Sequence, residues 1–250
     1  MSALRVAVMG AAGRMGTETC RAIESSAGLE LVARIDRDGS VRDAQTAAAS
    51  VVVDFTDPNS VLLNLQSAVE LGMHCVVGTS GFDQERLAVV QELVDRHPAI
   101  GVVVAPNFAV GAALLMRFAR EAATHFESVE IVELHHPGKL DAPSGTAIHT
   151  AEEIAAARAA AGLPTAPDAT VHELPGARGA AVAGVPVHAV RLRGLVAHEE
   201  VLFGSAGETL SLRHDSFDRS AFMPGVLLAI REVQNRPGLT VGIESLLGLS

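Results

Sequence analysis

Two adjacent histidines and the only lysine of the chain fall within five residues: His135, His136 and Lys139. Pro137 and Gly138 between them keep the three side chains on one turn. Ser144 follows, a residue type that caps helices. Gly145 and Thr146 behind it would offer the unpaired N–H groups of a helix N-terminus, which favour an anion. Two imidazoles, an ammonium and a helix N-terminus thus gather in a chain of net charge −10. That is a place for a small molecule carrying two carboxylates. The other cations are eighteen arginines. Arginine keeps its proton, whereas lysine can be tuned to release one, so the single lysine points to acid chemistry. The bland alternatives are a structural histidine near a strand end and a solvated surface lysine. A histidine pair also suits a metal, but no further ligands repeat at metal-binding spacing, and no metal is expected.

A second set begins at Gly10-Ala11-Ala12-Gly13-Arg14-Met15-Gly16. Such glycines let the backbone turn tightly and let a pyrophosphate approach a helix N-terminus. The spacing G-x-x-G-x-x-G is a variant of the usual dinucleotide fingerprint. Asp36 lies 20 residues beyond Gly16, where a carboxylate accepts the hydroxyls of an adenosine ribose. Arg37 beside it could pair with a 2′-phosphate, so NADH and NADPH stay open. Three more clusters end apolar runs: Phe55-Thr56, Gly78-Thr79-Ser80-Gly81 and Ala105-Pro106-Asn107-Phe108. In an open parallel sheet, ligands bind outside the carboxyl ends of the strands.

The elements that must position these residues follow from periodicity. Strands are expected at 4–9, 29–35, 50–55, 74–77 and 100–105, with helices at 18–26, 59–71 and 83–96. The strands are nearly continuous apolar runs, as in a parallel sheet covered on both faces. After Asn107 the pattern changes. A long helix is expected at 110–126, a strand at 129–134 and an alanine-rich helix at 144–161. Further strands are expected at 171–174, 185–192, 199–203 and 209–212, then a helix at 222–234. The apolar tail 240–249 should pack back on one of the domains. The clusters around His188, His198 and His214 read as pocket lining, subunit interface or plain sheet edges. The fold class is α/β: a Rossmann-type, doubly wound parallel sheet plus an α+β domain with a mixed sheet.

Composition narrows the function. The chain has 250 residues, 48% of them hydrophobic, with no Tyr and no Trp. That excludes general disorder and the short-chain dehydrogenases, which use a Tyr and Lys pair. The proton donor must come from His, Lys, Asp, Glu, Cys or Ser. Charge −10 speaks against nucleic acid and anionic membranes as partners. Two cysteines are too few for a disulfide framework, no apolar run reaches the ~18 residues of a membrane span, and no secretory layout opens the chain. A cytoplasmic setting is expected.

The stretch H-H-x-x-K-x-D-A-P-S-G-T at 135–146 resembles the 4-hydroxy-tetrahydrodipicolinate reductase (dihydrodipicolinate reductase) family of the diaminopimelate route to lysine. So do the loop Gly10–Gly16, Asp54-Phe55-Thr56, Gly78-Thr79, Ala105–Phe108 and Arg213-His214-Asp215-Ser216. The resemblance covers essentially the whole chain. It implies that His135 donates a proton, with Lys139 as the second donor. It also implies that His136, Lys139, Gly145 and Thr146 bind the substrate carboxylates. The NAD(P)H site would comprise Gly10, Ala11, Ala12, Gly13, Arg14, Met15, Asp36, Arg37, Gly78, Thr79, Ser80, Ala105, Pro106, Asn107 and Phe108. It further implies a homotetramer formed through the second sheet. The dinucleotide-binding domain would comprise residues 1–109 and 219–250, and the substrate-binding and oligomerisation domain 110–218. Two readings stand beside it: another two-domain nicotinamide oxidoreductase, and a dinucleotide-sensing regulator without turnover.

Overall fold

The computed structural model describes residues 3–79 and 81–248. The chain forms two compact units, Met1–Val110 with Arg219–Ser250, and Gly111–Asp218.

The first unit is built on β1 (Leu4–Met9), β2 (Leu29–Ile35), β3 (Val51–Asp54), β4 (His74–Val77), β5 (Gly101–Val104) and β11 (Gly238–Val241). All pair in parallel, in the order β11-β5-β4-β3-β1-β2. Every residue of β3 and β5 is buried, which explains the unbroken apolar runs. On one face Ala7, Val52, Cys75 and Val102 pack against α2 (Val41–Thr46), α3 (Val61–Glu70) and α4 (Gln84–Asp95). On the helices α1 (Arg14–Glu24) and α7 (Met223–Glu232), which pack together, Ile23, Val226 and Ile230 are fully buried. The apolar tail supplies β11, which adds to β5 as the outer strand. Its last apolar residue, Leu249, lies outside the described residues.

The second unit has β6 (Ser128–His135), β7 (Ala180–Val182), β8 (Val185–Arg191), β9 (Ala197–Ser205) and β10 (Glu208–Ser216), ordered β10-β9-β6-β8-β7. Only β6–β8 is parallel, so the sheet is mixed. Its core, around Ile131, Val187, Val201 and Phe203, packs on α5 (Val110–Ala122) and α6 (Gly145–Ala160). Among the described residues no helix is long and apolar enough to cross a membrane.

Three expectations are corrected. No strand forms at 171–174: Val171 and Leu174 are 84% and 80% exposed. Asp168 accepts from Thr170 N–H, which turns the chain there. The sheet edge is instead taken by β7, which pairs with β8 across the two-residue turn Ala183-Gly184. Both turn residues have positive φ, the geometry that matches the twist of a tight hairpin. The helix expected to reach Phe126 ends at Ala122, because Phe126 is drawn against Phe203, ring centroids 5.6 Å apart. The first helix begins four residues earlier than expected, directly behind Gly13, whose extended backbone makes it the N-cap. Helix α2 was not anticipated. Its signal is Ser40-x-x-Asp43, a capping box in which Asp43 accepts from Ser40 N–H at 2.7 Å.

Candidate active site

The glycine loop leaves β1 at Gly10 with φ +74°, and Gly10 N–H donates to Ile35 O at 2.8 Å. A Cβ on Gly10 would lie 2.6 Å from Phe55 O, and one on Gly16 2.0 Å from Gly10 O. These are main-chain atoms that cannot swing away, so the tight turn needs glycine at both positions. Gly13 brings no side chain to cap α1, and no acid occupies the helix's first turn. The N–H groups there are thus left for an anion. Asp36 at the end of β2 accepts from Ala12 N–H at 2.9 and 3.2 Å, which fixes the carboxylate beside the loop. Ala12, Arg14 and Arg37 are exposed. Glycine cradle, bare helix N-terminus and strand-end acid fit a dinucleotide.

The neighbouring strand ends are tied by Asp54, which is buried. Its Oδ1 accepts from Thr56 N–H, Thr56 Oγ1 and Thr79 Oγ1, and its Oδ2 from Asn64 Nδ2. The Thr79 hydroxyl is therefore committed inward. Ala105 and Phe108 are buried too, and Phe108 sets its ring edge-on to Phe55 at 6.0 Å. Gly78 lies under both rings, where a Cβ would be 2.1 Å from Phe55 Cε1. These positions present backbone rather than side chains. Pro106 is exposed, and Asn107 Oδ1 accepts from Ala109 N–H. Ser80 lies outside the described residues.

In the second unit β6 ends at His135, residues 136–143 form a turn, and Ser144 caps α6 by accepting from Ala147 N–H at 3.2 Å. The residue that organises this stretch is Glu133, two residues ahead of His135 on β6. It is fully buried. Its Oε2 accepts from His135 Nδ1 at 2.6 Å and Arg191 Nη1 at 2.7 Å. Its Oε1 accepts from Arg191 Nη2 at 2.8 Å and Ser144 N–H at 3.0 Å. Burial alone would raise the Glu133 carboxyl. The His135 and Arg191 donors outweigh that effect and bring it down to about 2. Arg191 arrives through the parallel β6–β8 register, directly opposite His135. A signal for Glu133 did exist: β6 alternates, and the acid falls on the buried side with Val129 and Ile131.

Lys139 is held in an ion pair. Its Nζ donates to Asp141 at 2.7 and 2.9 Å. Burial works upward on the Asp141 carboxyl, but the hydrogen bond and charge of Lys139, together with backbone N–H donors at Asp141 and Gly145, hold it below its usual range. The cationic cluster thus carries its own carboxylate, and an incoming anion must compete with Asp141 for the lysine. His136 is half-buried beside Gly138. Gly145 is exposed and Thr146 half-buried in the first turn of α6. Among the described residues no group of three or more His, Cys, Asp or Glu side chains is placed to hold a metal ion.

Across the sheet from Glu133 stands Glu199 of β9. It is buried, and its Oε1 has no hydrogen-bond partner among the described residues. Burial pushes its carboxyl up to about 7; a hydrogen bond from Thr150 opposes this and the Glu133 charge adds to it. Between pH 4.5 and about 7 the folded chain therefore holds a proton here that the unfolded chain has lost. Stability falls as pH rises through that window and stays lower above it. Glu199→Gln, which removes the charge, should raise Tm more at pH 8 than at pH 5. Equal shifts in thermal unfolding at the two pH values would contradict this.

A parallel sheet with a glycine loop and a strand-end acid, joined to a second unit with its own His/Lys site, defines a two-unit dinucleotide-dependent oxidoreductase. The family model of the dihydrodipicolinate reductase N-terminus matches residues 4–108, and that of the C-terminus matches 111–247. The chain belongs to the dihydrodipicolinate reductase family. It is 59% identical to the 4-hydroxy-tetrahydrodipicolinate reductase of Cutibacterium acnes over 98% of this chain and 99% of that one. With that of Streptomyces griseus it shares 56% identity over the whole of both chains. A dipicolinate-bound dihydrodipicolinate reductase from Paenisporosarcina superposes with a TM-score of 0.83 at 36% identity, covering 97% and 99% of the two chains. A scyllo-inositol dehydrogenase from Lactobacillus casei shares the fold, with a TM-score of 0.63 at 12% identity over 99% of this chain and 95% of that one.

Proposed function

We propose that this chain reduces 4-hydroxy-tetrahydrodipicolinate to tetrahydrodipicolinate with NADH or NADPH, in the diaminopimelate route to lysine. The observation that carries the reading is His135, fixed through Nδ1 by Glu133 at the end of β6 and followed four residues later by Lys139. Its Nε2 has no partner among the described residues, so that nitrogen is left for a ligand. The nicotinamide, when bound, supplies a hydride. Gly10 to Met15 would hold the pyrophosphate, Asp36 and Arg37 the adenosine ribose, and the backbone at Gly78–Ser80 and Ala105–Phe108 the rest of the dinucleotide.

In the second unit, His136, Lys139 and the α6 N-terminus at Gly145 and Thr146 would bind and orient the substrate carboxylates. The substrate loses water to give a cyclic unsaturated imine. Hydride arrival at one ring carbon leaves enamine-like negative charge, and the adjacent carbon needs a proton. His135 delivers it from Nε2, with Lys139 as second donor. Positioning of the ring supplies much of the rate, as expected when two reactants are held in register. Both cysteines are free thiols, buried in the first unit, in keeping with a cytoplasmic setting. We also place a homotetramer at the second sheet, on the face that carries Val132, Val190 and Leu202 away from α5 and α6.

A coupled assay tests the activity. A synthase condenses pyruvate with aspartate semialdehyde, and this protein is added with NADH or NADPH. Oxidation of either nucleotide that depends on the condensation product is the expected result. Tight nucleotide binding without turnover would overturn the reading in favour of a sensor.

A further inference from the structure

We propose that Glu133 is the positioning residue for His135: its buried carboxylate holds the proton on Nδ1 and so presents Nε2 to the ligand. This deepens the functional reading above and rests on His135 being the proton donor.

Placing a carboxylate where a strand otherwise buries Val129 and Ile131 is costly unless its lone pairs are filled. Here they are filled by four donors, two on each oxygen. An ionised carboxylate only accepts, so the imidazole nitrogen 2.6 Å away must carry the hydrogen. The ring is then left with Nε2 as its exchangeable site, an acid when protonated and a base when not.

The same carboxylate also shapes the loop. Arg191 grips both oxygens of Glu133 and donates to Asp141 O at 2.7 Å. Ser144 N–H closes the far end of the loop on Glu133 Oε1. His135, the backbone of Asp141 beside the lysine pair, and the start of α6 are thus referred to one buried anion. The other charged groups around it are Lys139 and Asp141 on the loop, His136, and Glu199 across the sheet. None of them donates to Glu133. Glutamine cannot replace it cleanly. Arg191 donates to both oxygens, so an amide NH2 faces a donor in either orientation.

The test is the imidazole tautomer, read from ring nitrogen shifts by NMR on the full-length, ligand-free protein. His135 is assigned by the signals lost in His135→Gln. In the wild type the neutral ring should be Nδ1–H. In Glu133→Gln it should shift to Nε2–H or to a mixture. In parallel kcat should fall about 10²-fold or more, with the nucleotide KM within about twofold, and Glu133→Asp should recover part of kcat. A neutral Nε2–H tautomer in the wild type overturns the proposal even if Glu133→Gln does not fold. So does a Glu133→Gln protein with unchanged tautomer and kcat. If the tautomer behaves as stated but the dipicolinate precursor is not reduced, Glu133 keeps its role and the functional reading falls.

Discussion

His135→Gln is expected to lower kcat by about 10²–10⁴-fold, the usual contribution of a positioned general acid, and to leave the nucleotide KM nearly unchanged. Glutamine fills much of the same volume but has no titrating nitrogen. The loss should therefore appear in the chemical step and not in assembly of the site. Lys139 needs a finer comparison, because the structure pairs it with Asp141. Lys139→Ala removes both the proton and the charge, and leaves Asp141 without its partner. Lys139→Arg keeps the charge and the ion pair but does not give up its proton near neutral pH. If Lys139 donates a proton, both variants lose kcat to a similar degree. If it only neutralises a substrate carboxylate, arginine recovers kcat and the defect moves to the substrate KM. Steady-state kinetics on the product of the coupled synthase decide between them. A Lys139→Ala enzyme with wild-type kcat would remove the residue from the chemistry altogether.

Gly16→Ala carries the second large effect. The added methyl would stand 2.0 Å from Gly10 O and 2.7 Å from Gly10 C, well inside any tolerable contact. Neither atom belongs to a side chain that can turn away. The loop must open or α1 must shift, at a cost on the order of 1–3 kcal/mol. Either movement spoils the spacing between the turn and the helix N-terminus that a pyrophosphate requires. The expected outcome is loss of NADH and NADPH binding by about 10²-fold or more, with a lower Tm that excess nucleotide fails to restore. Gly72→Ala serves as the comparison. It also has positive φ, +80°, but an added Cβ meets nothing within 4 Å. It should cost stability through backbone strain alone and leave nucleotide affinity intact. Calorimetric titration with each nucleotide, beside thermal unfolding, separates the two. Normal affinity in Gly16→Ala would refute the assignment of this loop.

Much of the first unit was legible because a parallel sheet buried on both faces writes unbroken apolar runs into the chain. Val51–Val53 and Val102–Val104 can hardly be anything else. The segment 171–174 misled because Val171 and Leu174 are apolar residues with no core to enter, and local polarity favoured a turn. The short edge strand β7 gave no pattern of its own: three residues, Ala180–Val182, held by pairing to β8. Helix α2 was visible only as a capping box, too short for a period to register.

The residue types that can move a proton or seat an anion were determined by the sequence alone. With no tyrosine or tryptophan, the proton donor had to come from His, Lys, Asp, Glu, Cys or Ser, and the spacing from His135 to Thr146 put two imidazoles and the one ammonium on one turn. What that turn does was decided in three dimensions. The partners of a buried carboxylate come from wherever the strand register puts them: Glu133 meets Arg191, 58 residues on, because β6 and β8 run parallel with His135 opposite Arg191. The antiparallel register of β6 with β9 faces Glu133 with Glu199 and leaves that acid buried. Linear spacing carries no record of such pairings, since the energy of a charge depends on what surrounds it in space and not on its neighbours along the chain.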